Sequence, residues 1–184
     1  MADTLRLFVA LDLPADARAA LAAFRDAEVA AAPDAWRPVR DEALHLTLVF
    51  LGHRPADDVA AVEPVLVGSA GPAPPLALGR ALLLPPRRAR VLCAEVADAD
   101  GELAALQGRV SDGLAQAGVY EPEARPFRAH ATVARLRSGA RAPRTAASDG
   151  PARLSFRGEA LTLYRSNVRR GGALYEPLAR VPLG

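Results

Sequence analysis

Residues 44–50 read LHLTLVF and residues 129–135 read AHATVAR, and the way these two stretches alternate decides the fold. The chain has three histidines, and two of them, His45 and His130, stand two places before a threonine. Five threonines in 184 residues make that repetition improbable by chance. In a strand, residues i and i+2 point to the same face, so His45 shares a face with Thr47 and His130 with Thr132. On that reading Leu44, Leu46, Leu48 and Phe50 form the other face of the first strand, and Gly52 ends it.

Working outward, LRLFVALD at 5–12 alternates as a strand. The alanine-rich 14–31 opens at Pro14 and reads as a helix with Leu21 and Phe24 turned inward. A short helix is expected over 56–67, where Pro64 must shorten or kink it. Strands at 76–84 and 90–96 flank the turn-like PPRRA. A helix over 100–117 carries Leu103, Leu106, Val110 and Leu114 and ends at Gly118. A strand over 128–134 holds the second motif. Residues 138–151, SGARAPRTAASDGP, have the composition of an exposed, mobile loop. Strands at 154–165 and 173–182 close the chain. This is an α+β alternation in two halves, with the histidines 85 residues apart.

Composition bounds the function. About half the residues are apolar, which fits a globular core. No apolar run reaches the ~18 residues of a membrane helix, and the opening residues do not resemble a leader. A single cysteine, Cys93 in VLCAEV, reads as a small buried strand residue and fits a reducing, cytoplasmic setting. All 23 basic residues are arginine, in a net charge of only +2. Arginine suits planar contact with phosphate, but base composition of the genome gives the same bias. Arg87, Arg88 and Arg90 form one cluster, and Arg165, Arg169 and Arg170 another; a solvated face is the plainer reading of each.

Two strands side by side would bring two imidazoles and two hydroxyls to one cleft. Imidazole titrates near neutrality, so one ring can accept a proton while the other donates one. The hydroxyls can donate hydrogen bonds to phosphate oxygens. This suffices for in-line attack of water on a phosphodiester without a metal or cofactor. Alternatives stay open. The histidines could be polar residues on half-exposed strands. A zinc site would need a third ligand, and no His-x-His or Glu-x-x-His spacing supplies one. A serine hydrolase would need a Gly-x-Ser-x-Gly elbow, which is missing. His53 has no threonine partner and reads as a surface residue.

The stretches LHLTLVFLG and RPFRAHATVARL resemble the two signature motifs of the two-histidine phosphoesterases. Within them the chain is most similar to the RNA 2′,3′-cyclic phosphodiesterases, also called 2′-5′ RNA ligases. RLFVALDLP at 6–14, WRPVRDEALHLTLVFLG at 36–52 and LTLYRSNVRRGGALYEPLARVPL at 161–183 extend the resemblance in order along the chain. It implies one bilobal domain over 1–184, with two pseudo-symmetric lobes of antiparallel sheet and helices around a central groove. One HxTx motif would belong to each lobe, at 45–48 and 130–133. It implies hydrolysis of a terminal 2′,3′-cyclic phosphate on RNA to a 2′-phosphate, with 2′-5′ ligation as the reverse chemistry. Carried over, the catalytic set is His45 as proton donor and His130 as proton acceptor, with Thr47 and Thr132 on the phosphate. Arg135 is a further phosphate contact, although its odd spacing from His130 points it away from the cleft in a regular strand. Phe8 and Phe127 are candidates for stacking a base. The partners expected are RNA ends or small cyclic nucleotides, such as 2′-5′ oligoadenylates or ADP-ribose cyclic phosphate. A non-catalytic RNA-binding module is the reading from another class. Monomer is the expected state.

Overall fold

The computed structural model describes residues 4–169 and 172–184. Among these the chain forms β1 (Thr4–Asp12), α1 (Ala15–Ala31), β2 (Trp36–Pro38), β3 (His45–Pro55), α2 (Asp58–Ser69), β4 (Pro75–Leu84) and β5 (Val91–Ala97). It continues through α3 (Glu102–Gln116), β6 (His130–Leu136), β7 (Ser155–Arg157), β8 (Ala160–Arg169) and β9 (Gly172–Pro182). The strands form one antiparallel sheet in the order β7-β4-β5-β6-β3-β1-β8-β9, with β2 also against β6. The α+β class expected from the sequence is the class observed.

The sheet has a seam. β1 and β3 pair over most of their length, as do β5 and β6, but β3 and β6 meet only at Leu46 opposite Ala131. One face of the strands is closed by the helices: α1 packs behind β2 and β6, and α2 and α3 pack on each other and behind β3. The alternation explains which residues go there. Leu5, Leu7, Val9 and Leu11 of β1 are buried with Leu21 and Phe24 of α1, Val62 and Leu66 of α2, and Leu106, Val110 and Leu114 of α3. Full burial of each such side chain contributes about 1.5–3 kcal/mol. Where α2 and α3 touch, a Cβ added at Gly113 would lie 2.7 Å from Val65, so only glycine permits that approach.

Four sequence expectations need correction. β3 does not end at Gly52; glycine takes a φ of +74° there and the strand continues to Pro55. Phe50 does not share a face with Leu44, Leu46 and Leu48, for a reason given below. Pro64 lies inside α2 without shortening it, because it and Ala60, whose carbonyl it leaves unpaired, are on the exposed face. Finally, residues 154–165 are two strands, β7 at the far edge of the sheet and β8 beside β1.

The irregular stretch 138–151 is largely exposed but tied down. The buried Glu28 carboxylate of α1 accepts hydrogen bonds from the Ala147 and Ser148 amides and the Ser148 hydroxyl at 2.7–2.8 Å. Gly150, at φ +143°, lies where a Cβ would meet the Gly79 carbonyl at 2.7 Å.

Candidate active site

The seam positions the histidines. Leu46 and Ala131, opposite each other, point into the core and are fully buried. Their neighbours on either side therefore point out together: His45 and Thr47 from β3, His130 and Thr132 from β6. All four line one cavity of about 230 Å³. Antiparallel geometry places His45 across from Thr132 and Thr47 across from His130.

The two imidazoles are held alike. His45 Nδ1 is 2.8 Å from the Ala43 carbonyl, and His130 Nδ1 is 2.7 Å from the Arg128 carbonyl. A carbonyl only accepts, so each Nδ1 carries the proton and each neutral ring keeps its Nε2 lone pair for the cavity. His45 Nε2 accepts a hydrogen bond from the Thr47 hydroxyl at 3.0 Å. Burial pushes the His45 pKa down to about 4, against the opposing pull of the Ala43 carbonyl and the Asp12 carboxylate, while Arg135 and His130 push the same way as burial. In the free protein His45 is a neutral base at pH 7.

Arg135 lines the cavity despite its odd spacing. Between β5 and β6 the register slips: Leu92 faces Ala134 and Cys93 faces Thr132, leaving Val133 unpaired. One extra residue is a β-bulge, and it turns an odd offset from His130 into an even one. β3 does the same at the same offset. Val9 faces Val49 and Ala10 faces Thr47, so Leu48 is the extra residue. Phe50, five residues after His45 as Arg135 is after His130, thereby lines the cavity too. Both bulges lie three residues beyond their histidine.

The aromatic expectations divide. Phe8 reaches the cavity and stacks on His45 with centroids 5.0 Å apart, but at 1% exposure it is a floor under the imidazole, with little surface for a base. Phe127 does not line the cavity; it packs against the core, because the strand starts only at His130 and leaves it outside the groove. The accessible rings are ones that periodicity did not single out: Phe50, 44% exposed, and Tyr175, edge-on to His45 at 5.2 Å. Phe50 also stacks on Phe8, and the Arg6 guanidinium covers its ring at 5.4 Å.

Around this floor lies a polar bracket that the sequence alone did not reveal. Asp12, the cross-strand partner of His45, accepts hydrogen bonds from Thr162 and Tyr164 at 2.8 Å and from Arg180 at 3.0 Å. Tyr164 stacks on Phe8, so the bracket fixes the rings under His45. Burial and Asp12 together raise the Tyr164 pKa, which keeps its hydroxyl a donor. On the other side, Cys93 lies beneath Thr132, with Sγ 3.6 Å from its hydroxyl. It is fully buried and its pKa is pushed up to about 11, so it supports the threonine as a thiol. His53 is exposed and does not line the cavity, as its lack of a threonine partner suggested.

Among the described residues no carboxylate lines the cavity, whereas Arg6, Arg37 and Arg135 do. Among the described residues no three His, Cys, Asp or Glu side chains gather into a metal-binding group. Arg87, Arg88 and Arg90 lie at the β4–β5 turn, outside the cavity. Arg165 lies 3.9 Å from Glu176, and Arg170 lies outside the described residues.

The chain is similar to known proteins in sequence and in fold. A sequence model of the 2′-5′ RNA ligase superfamily matches residues 11–170. The RNA 2′,3′-cyclic phosphodiesterase of Escherichia coli K12 is 32% identical over 98% of this chain and 97% of its own. That of Thermus thermophilus is 32% identical over 97% and 90%. A crystal structure of E. coli LigT with 3′-AMP superposes with a TM-score of 0.82 at 30% identity, covering 98% of this chain and 99% of that one. The MHV ns2 PDE domain, 14% identical with a TM-score of 0.63, shares the fold over 89% of this chain and 99% of its own.

Proposed function

The chain belongs to the 2′-5′ RNA ligase superfamily, and from that footing we propose that it hydrolyses the 2′,3′-cyclic phosphate at an RNA end to a 2′-phosphate. The observation that carries the reading is the pair of imidazoles. Each has Nδ1 tied to a backbone carbonyl and Nε2 facing a cavity that arginines line and, among the described residues, no carboxylate does. Such a cavity accepts a phosphodiester anion and offers it two proton-transfer groups.

The roles follow from the surroundings. His130 Nε2 takes a proton from water as its oxygen attacks phosphorus. The P–O3′ bond breaks, and His45 Nε2 delivers a proton to O3′, leaving the phosphate on O2′. Thr47 and Thr132 donate hydrogen bonds to the nonbridging oxygens, and Arg135 adds charge as it builds in the transition state. His45 begins the cycle without its proton. A bound phosphate supplies the negative charge that favours the imidazolium, so the acid is loaded together with its substrate. Once His45 is protonated, its Nε2 no longer accepts from Thr47, which frees the threonine hydroxyl for the phosphate. With a 5′-hydroxyl in place of water the same path is a 2′-5′ ligation: the 5′-oxygen bonds to phosphorus as P–O3′ breaks and O3′ takes the proton. No helix in the described residues is long and apolar enough to cross a membrane. We extend the reading to a monomer working in a reducing compartment, where buried Cys93 stays a thiol.

The test is hydrolysis of a short RNA ending in a 2′,3′-cyclic phosphate, in EDTA, with wild type beside His45→Ala and His130→Ala. Each variant should lose about 10²- to 10⁴-fold in rate. RNA binding that survives both changes, with no turnover by wild type, would make the chain a binding module instead.

A further inference from the structure

Each histidine has a carboxylate directly across from it on the strand that flanks its own. Asp12 of β1 is the cross-strand partner of His45, and Glu95 of β5 is the partner of His130. Directly opposed residues of an antiparallel pair share a face, with β-carbons about 4.5–5.5 Å apart. A carboxylate that close favours the protonated form of the ring beside it.

The two carboxylates are answered differently. Asp12 accepts hydrogen bonds from two uncharged groups, the Thr162 and Tyr164 hydroxyls, and from one guanidinium, Arg180 at 3.0 Å. Arg180 is itself divided, because Glu159 lies 3.7 Å from it. Beside His45, then, two carboxylates share one arginine. Beside His130 the balance is reversed: Glu95 lies between Arg80 at 3.1 Å and Arg128 at 3.5 Å. The Asp12 side chain is also the more enclosed, 12% exposed against 32% for Glu95, so solvent screens its charge less.

The other groups around the rings leave this difference in place. Arg6, Arg37 and Arg135 line the cavity and oppose a proton on either ring. The Tyr164 and Tyr175 rings stand 6.1 and 5.2 Å from His45. In the turn before β3, Asp41 is taken by Arg25, and Glu42 is exposed. Of the charges that act on His45, namely Asp12, Arg135 and His130, only Asp12 favours the imidazolium.

We propose that these unlike clusters assign the proton roles. Asp12, with Glu159 behind it, is a positioning residue that keeps the proton on His45, while Arg80 and Arg128 offset Glu95 and leave His130 the base. The inference rests on the phosphodiesterase reading of the same groove and adds to it the residues that make one ring the acid.

The experiment follows the His45 ring by NMR titration, with a saturating non-hydrolysable phosphodiester, in wild type, Asp12→Asn, Arg180→Gln and the double variant. The same set is assayed for kcat against pH on an RNA ending in a 2′,3′-cyclic phosphate. Asp12→Asn should lower the proton affinity of His45 about tenfold, or about one pH unit. Arg180→Gln removes the cation that two carboxylates share and should raise that affinity by about threefold, a smaller effect because Arg180 is 48% exposed. The double variant should fall between the single ones, since opposite charges offset each other whereas structural damage accumulates. An acid works only while protonated, so the alkaline limb of kcat should move with the ring. Asp12→Asn then loses about tenfold above that limb and approaches wild type as pH falls; a displaced ring would lose the same factor at every pH. Glu95→Gln, which breaks two arginine pairs at the matching place, should leave the His45 titration where it is. The proposal is overturned, with the phosphodiesterase reading left standing, if Asp12→Asn does not lower the titration. It is equally overturned if both single variants move it the same way or Glu95→Gln moves it as far. Should Asp12→Asn fail to fold, Arg180→Gln decides alone, and no upward shift overturns the proposal. If no substrate turns over, the phosphodiesterase reading fails, and the free ring decides: Arg180→Gln should titrate above wild type and Asp12→Asn below it, and any other order overturns the proposal.

Discussion

If substrate loads the acid, the His45 proton must appear when a phosphate does. With its pKa pushed down to about 4, His45 is protonated in about one molecule in a thousand at pH 7. A phosphodiester monoanion held about 4 Å from the ring, at an effective dielectric near 20, attracts the imidazolium by about 4 kcal/mol. That is a factor of about a thousand in proton affinity. The two factors cancel, so a bound phosphate should leave His45 about half protonated at neutral pH. The assay is NMR titration of the His45 ring, resolved by comparison with His45→Gln, with and without a saturating non-hydrolysable phosphodiester. The free ring should stay neutral down to about pH 4, and the liganded ring should begin to protonate near neutrality. A free ring that titrates at the ordinary histidine value would refute the burial argument. A ring that stays neutral with the anion bound would remove it as the acid and pass that role to His130.

The same burial makes stability depend on pH. The folded His45 value lies below the unfolded value of about 6.5, so the unfolded chain takes the proton first. The contribution is complete above about pH 6.5 and is lost as pH falls toward 4, by about 3 kcal/mol. Urea unfolding at pH 7 and pH 4 should show His45→Gln losing that much less than wild type; equal losses would contradict the depressed value. Glu28→Ala should loosen the 138–151 stretch, since it strands two backbone amides and a hydroxyl, at a cost of about 2–4 kcal/mol. Trypsin cleavage after the exposed Arg144 reads this directly, and unchanged protection would show that the stretch is held by other contacts.

What the sequence made legible was local and periodic. The His-x-Thr pairs, the leucines of the strands and the apolar stripe of α3 follow from spacings of two and of three to four residues, and the structure keeps them. Illegible was what depends on a partner far along the chain. Glu28 lies in an alanine-rich helix, where a carboxylate ordinarily faces solvent, and its three donors are about 120 residues away. Asp12 meets its donors from Thr162, Tyr164 and Arg180 in the same way. The bulges are the instructive case, because strict alternation sends Phe50 and Arg135 to the wrong face. Each bulge exists only in relation to a neighbouring strand, so neither motif could disclose it alone. Comparing the two could have: an odd-spaced arginine after one motif suggests a bulge there, and like backbones suggest one after the other. The two halves then hold the His-Thr pair in common and differ at the position five beyond the histidine, phenylalanine in one and arginine in the other. An equivalent backbone with unlike residues at its two ends gives the groove a direction. A phosphate between identical His-Thr pairs could bind either way round, and these two positions distinguish its two sides.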